Sequence, residues 1–123
     1  VKFGSVQQAI KRSANTEVTV NLRLLSITLD PDFDRPTVLA AYGEAIGADS
    51  AVWNFATGTS EEITRLSKVF SVFTERNGVT LDHTLCTALI DPDGNIQEIW
   101  RGNGWSADDI LRAVRGEKNS HHE

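Results

Sequence analysis

The strongest constraint on the fold is a run of six apolar or small residues, 85–90, followed by Asp91-Pro92-Asp93-Gly94 and a second extended run, 95–100. Residues 85–90 have the length and branched content of a strand buried on both faces. Pro92 presets φ at the second turn position and Gly94 tolerates positive φ at the end. The two runs therefore pair as an antiparallel hairpin. Any fold for this chain must supply an apolar layer for that hairpin to pack on. His83 lies just ahead of the hairpin, and Cys86, the chain's single cysteine, lies inside it.

The apolar layer is found in the helices. Phe3, Val6, Ile10 and Ala14 recur at spacings of three and four. They predict a helix over 2–14 with Gln7, Gln8, Lys11 and Arg12 facing away. A polar connection at 15–21 leads to a strand at 22–29, most of it expected to be buried. Asp34 is placed as an N-cap, with Pro36 in the first turn of a helix carrying Val38, Leu39, Tyr42, Ala45 and Ile46, and with Gly47 as its stop. Residues 52–56 alternate like a short strand. Thr59-Ser60-Glu61-Glu62 is a capping box for a third helix bearing Ile63 and Leu66. Residues 69–74 are read as extended and 75–78 as a loop. Ser106 to Asp109 cap a last helix with Ile110, Leu111 and Val114. The polar tail 116–123, which holds His121 and His122, is expected to be disordered, and those histidines are read as a tail and not as a metal site.

Strands thus alternate with helices, and the chain closes on a hairpin and a helix. This is an α/β arrangement of βαβ followed by ββα in one domain. The net charge of −5 with no basic stripe argues against nucleic acid as a partner. No apolar run approaches the roughly 18 residues of a membrane span. One cysteine cannot form an internal disulfide or a cysteine-rich zinc site. The chain has neither an initiator Met nor any other, which leads us to expect a processed or truncated piece.

Three segments carry a resemblance: 25–36 (Leu-Ser-Ile-Thr-Leu-Asp-Pro-Asp-Phe-Asp-Arg-Pro), Leu81-Asp82-His83-Thr84, and 89–94 (Leu-Ile-Asp-Pro-Asp-Gly). Together they resemble the Sco/SenC family of thioredoxin-fold copper-binding proteins that assist cytochrome c oxidase assembly. Trp100-Arg-Gly-Asn-Gly-Trp105 is similar to a bacterial branch. The resemblance spans most of residues 3–115. It implies a thioredoxin-like domain over 1–115, truncated at its N-terminus, with the strand preceding the first helix missing.

It further implies a copper site of two cysteines in a Cys-x-x-x-Cys loop plus one histidine, matched here by His83. The cysteine loop is absent, and the chain is expected to begin just after it. Cys86 matches neither cysteine and is read as a buried, inert thiol. At an odd offset from His83 on one strand, it would face the other way. Asp30, at the end of the first strand, is a candidate outer residue that orients His83, with strand ending as its simpler role. Trp100 and Trp105 are expected to serve packing. Copper is the family's cargo, and tight binding is not expected in this chain.

The implied partner is a cytochrome c oxidase subunit or another copper-accepting protein, and the implied location is periplasmic or extracytoplasmic. Membrane attachment would come only through an N-terminal anchor absent here. Without the missing strand, two strands expose unpaired edges, so a homo-oligomer or strand exchange is expected. The alternatives are a thioredoxin-like thiol–disulfide oxidoreductase, for which this chain lacks the dithiol, and a non-catalytic interaction module.

Overall fold

A computed structural model of the chain describes residues 2–13 and 21–116. The elements are α1 (Lys2–Ser13), β1 (Leu24–Ile27), α2 (Pro36–Ala45), β2 (Trp53–Ala56), α3 (Ser60–Val69), β3 (Thr74–Asn77), β4 (Thr80–His83), β5 (Cys86–Ile90), β6 (Ile96–Arg101) and α4 (Ala107–Val114). They fall into two compact units: Arg23–Thr84, and Val1–Leu22 together with Leu85–Glu123. Apart from Asn21 and Gly116, the connection at 15–21 and the tail at 116–123, with His121 and His122, lie outside the described residues. Among the described residues, no helix is long and apolar enough to cross a membrane.

In the unit Arg23–Thr84, β1 and β2 pair in parallel across α2, with Leu24 opposite Trp53 and Ser26 opposite Phe55. These four residues share one face, because side chains alternate along a strand. The Trp53 indole N–H donates to the Ser26 hydroxyl at 3.0 Å, and the Phe55 ring lies 5.2 Å from that of Trp53. Tyr42 of α2 meets Phe55 edge-on at 5.8 Å.

The helix turns a different stripe to the sheet than its sequence suggests. Gly43 is buried, Leu39 and Ile46 are half-buried, and Val38 and Tyr42 are exposed. A Cβ at Gly43 would meet the Phe55 ring at 3.0 Å. The missing side chain lets the helix come close, and close approach rotates Val38 and Tyr42 to the rim. Burial of the first strand is also less complete than expected. Leu24 is buried, but Leu25 and Ile27, on the face away from α2, are exposed.

Asp34 does not cap α2. The N-cap position is Arg35, with no side-chain capping bond and Pro36 at the start of the helix. The Asp34 carboxylate instead accepts the Thr28 hydroxyl at 2.7 Å, which spends it inside the 28–34 turn. The capping box of α3 forms as its sequence indicates. The Thr59 hydroxyl accepts Glu62 N–H, and the Glu62 carboxylate accepts Thr59 N–H.

The segment read as extended chain and loop after α3 is a hairpin. β3 pairs antiparallel with β4 through a two-residue turn, Gly78-Val79, and Gly78 takes φ of +64°. Glycine at the first position of such a turn suits the twist of the flanking strands.

In the other unit, β5 and β6 form the expected antiparallel hairpin, from Cys86 opposite Arg101 to Ile90 opposite Ile96, with a register shift between Leu89 and Ile90. In its turn, Gly94 N–H donates to the Asp91 carbonyl, and the Asp91 carboxylate accepts the N–H groups of Asp93 and Asn95. Buried Val6 and Ile10 of α1, Ile110, Leu111 and Ala113 of α4, Leu89, Trp100 and Trp105 form the core. Phe3 lies 5.9 Å from the Trp105 ring. Gln7 is buried and does not face away. It is at i+4 from Phe3 and i−3 from Ile10, so a stripe wide enough to seat Val6 includes it. Ser106 and Asp109 cap α4 reciprocally, and the Gln97 amide donates to the Ala113 carbonyl near its end.

Candidate metal site

His83 is the last residue of β4, exposed and opposite Thr74. Its Nδ1 lies 3.0 Å from the Thr84 carbonyl oxygen. A carbonyl only accepts, so this bond assigns a ring proton to Nδ1, and in the neutral ring Nε2 then keeps its lone pair. Such an imidazole is poised as a single neutral nitrogen donor, with its other nitrogen held by backbone. The local-backbone role and the donor role of His83 therefore use different nitrogens and are compatible.

The strand register places Thr74, Arg76, Leu81 and His83 on one face of the β3–β4 hairpin. The other face carries Asn77 and Asp82, whose amide and carboxylate bond at 2.5 Å. On the His83 face, Arg76 Nη2 donates to Asp30 Oδ1 at 2.8 Å. The guanidinium also sits 5.1 Å from the centre of the Phe33 ring. The Asp30 hydrogen bond raises Arg76 above its ordinary value. Asp30 is fixed in turn: its N–H donates to the Thr28 hydroxyl, and its carbonyl accepts from Phe33 and Asp34 N–H. Asp30 and His83 thus belong to the same unit, and the side chain that Asp30 engages is Arg76.

Arg76 and Phe33 are the residues that sequence reasoning missed. The overlooked signal is Gly78-Val79 between two four-residue runs, Thr74–Asn77 and Thr80–His83, a two-residue turn that opens on glycine. It would have placed Arg76 on the His83 face by register alone.

Cys86 opens β5 and is half-buried, less enclosed than expected. Opposite facing at an odd offset requires one strand through 83 and 86, and the structure has two. Thr84 N–H donates to the Phe73 carbonyl, closing the first hairpin, and Gly102 N–H donates to the Leu85 carbonyl, closing the second. His83 and Cys86 lie in different sheets and different units. Trp100 and Trp105 are buried, in keeping with packing.

The donors present do not match a site of two thiolates and one imidazole. The chain has a single cysteine, and among the described residues no group of three or more His, Cys, Asp or Glu side chains could hold a metal ion. Cu(I) favours soft thiolate ligands, and a lone imidazole does not replace them.

No curated protein sequence matches the chain. A SCO1/SenC family lipoprotein from Bacillus anthracis is similar in structure, with TM-score 0.79 and 25% identity, covering 94% of this chain and 68% of that one. Copper-bound ScoI from Arabidopsis thaliana matches with TM-score 0.73 and 21% identity over 92% of this chain and 68% of its own. Copper-bound ScoI from Bradyrhizobium japonicum matches with TM-score 0.69 and 19% identity over 95% and 72%. The α/β fold is that of these thioredoxin-like proteins. The SCO1/SenC family model matches residues 2–119, and the chain belongs to the SCO1/SenC family.

Proposed function

We propose that this chain belongs to a copper-delivery domain that serves cytochrome c oxidase assembly, and that His83 supplies its imidazole ligand. The observation that carries the reading is the His83 ring. Its Nδ1 is engaged by the Thr84 carbonyl, and its Nε2 is left as a donor at the exposed end of β4. Membership of the SCO1/SenC family and the copper-bound ScoI proteins of the same fold support it. A site of this kind needs two thiolates, and this chain holds a single cysteine, Cys86. The acceptor is an oxidase subunit or another copper-accepting protein. The location is extracytoplasmic, on a membrane-anchored parent, as the name of the Bacillus relative suggests.

The test has two arms. The 123-residue chain, titrated with Cu(I) against a chromophoric competitor, is expected to show no tight stoichiometric binding. Sub-micromolar binding lost in His83→Ala would show that the chain suffices without the cysteines. The gene upstream of Val1 is then sequenced and the extended protein expressed. A Cys-x-x-x-Cys motif, with copper affinity that falls in His83→Ala, is the expected result. A Cys-x-x-Cys motif with dithiol reductase activity, or no cysteine at all, would overturn the copper reading.

A further inference from the structure

We propose that Arg76 is a positioning residue for His83, acting through a latch made with Asp30 and Phe33. This rests on the reading of His83 as a metal ligand. The β3–β4 hairpin has little to hold it. Seven of its eight strand residues are exposed, with Leu81 the exception, and its two strands pair only with each other among the described residues. A two-stranded ribbon of this kind is marginal in water without packing. The group at its end must nonetheless stand in one place if it is to meet other ligands, because a metal site needs its donors held before the metal arrives.

Arg76 provides the fixing. It lies on the same face as His83, and two bonds of different kind tie it to one turn. The Asp30 carboxylate takes its N–H at 2.8 Å, and the Phe33 ring lies under its guanidinium. The turn is rigid for its own reasons. Thr28 bonds both Asp30 N–H and the Asp34 carboxylate, so the 28–34 segment is closed on itself at the end of β1. The Asp30 side chain is 17% exposed against 41% for Arg76, so the anchor is the better enclosed partner. Position therefore passes from β1 to the Asp30 turn, to Arg76, and across the register to the strand that ends in His83. Asp30 bears on the imidazole at one remove, without touching it in the hydrogen bonds formed here.

The latch is tested on the metal-free 123-residue chain by ¹⁵N relaxation and by the ring ¹H–¹⁵N spectrum of His83. The answer is then independent of whether copper binds. In Arg76→Ala and Asp30→Asn, backbone order parameters over 74–83 are expected to fall from about 0.85 to below about 0.6, with β1 and β2 unchanged. The His83 ring signals should move toward the tautomer average of a free imidazole. The milder Arg76→Lys, which keeps charge but not the planar stack, should give an intermediate result. The exchanged pair Asp30→Arg with Arg76→Asp should restore part of the order. If the ring signals and order parameters are unchanged in both single variants, the latch is overturned. It is overturned equally if thermal stability falls while the hairpin keeps its order relative to β1–β2.

Discussion

Glu62 shows how a single side chain makes a segment sensitive to pH. Its carboxylate accepts the Thr59 N–H, and together with the Thr59 hydroxyl this holds Glu62 below its ordinary value of 4.5. A group whose folded value is depressed adds stability above its unfolded value and loses it as pH falls through the folded one. The first turn of α3 should accordingly loosen only on acidification below the ordinary glutamate range. Thr59→Ala removes the hydroxyl but keeps the backbone N–H, so it should return Glu62 only part of the way upward, as followed by the carboxyl ¹³C shift. A wild-type Glu62 titrating at its ordinary value would refute this.

Ser71 is a second residue-scale case. It takes φ of +53° just beyond α3, where Val72 N–H reaches back to the Ser67 carbonyl. This is the helix-ending position that favours glycine. Ser71→Gly should raise stability by about 1 kcal/mol in urea unfolding, since a left-handed conformation costs an L-residue about that much. Capping residues such as Thr59, Glu62, Ser106 and Asp109 were legible in the sequence because each bond spans three positions. The Asp34 carboxylate was misassigned because its partner, Thr28, is brought to it by the turn and not by helical spacing.

At the scale of elements, the seat of α2 on the β1–β2 sheet depends on Gly43. A side chain there meets Phe55, so Gly43→Val should cost about 1–3 kcal/mol by overpacking, measured as a lower denaturation midpoint. An unchanged midpoint would mean that the helix can shift outward freely. The β3–β4 hairpin makes a complementary prediction. Gly78 at φ of +64° tolerates a Cβ sterically but not conformationally, with nothing within 4 Å of the added atom. Gly78→Val should therefore weaken the amide signals of 74–83 while leaving α2 and β2 intact. The α1, α3, α4 and β5–β6 elements were each readable from periodicity or turn chemistry. The buried stripe of α2 was not, because a glycine carries no hydrophobic signal yet decides which face approaches. The buried Gln7 escaped for a related reason: its place on the stripe outweighs its polarity.

At the scale of the molecule, the three sheets are separate, and each has only two strands among the described residues. Among the described residues β1 pairs only with β2, and Leu25 and Ile27 are exposed, Leu25 by 56%. Unpaired edges and exposed branched side chains favour association. We infer that the 123-residue chain self-associates, and light scattering after size exclusion should report a mass above 13.5 kDa that decreases on dilution. Leu25→Lys should shift the population toward monomer. A monomer at every concentration would dismiss the inference.

The sequence by itself determined the α/β class, four helices, the β1–α2–β2 unit and the β5–β6 hairpin. Those features depend on spacings of two, three or four positions, or on turn residues side by side in the chain. The tertiary structure decided which face of α2 is buried, that His83 and Cys86 lie on different strands, and that Arg76 meets Asp30 and Phe33. Asp30 and Arg76 are 46 positions apart. No local pattern encodes a pairing at that distance, which exists only once β1 and the β3–β4 hairpin share a unit.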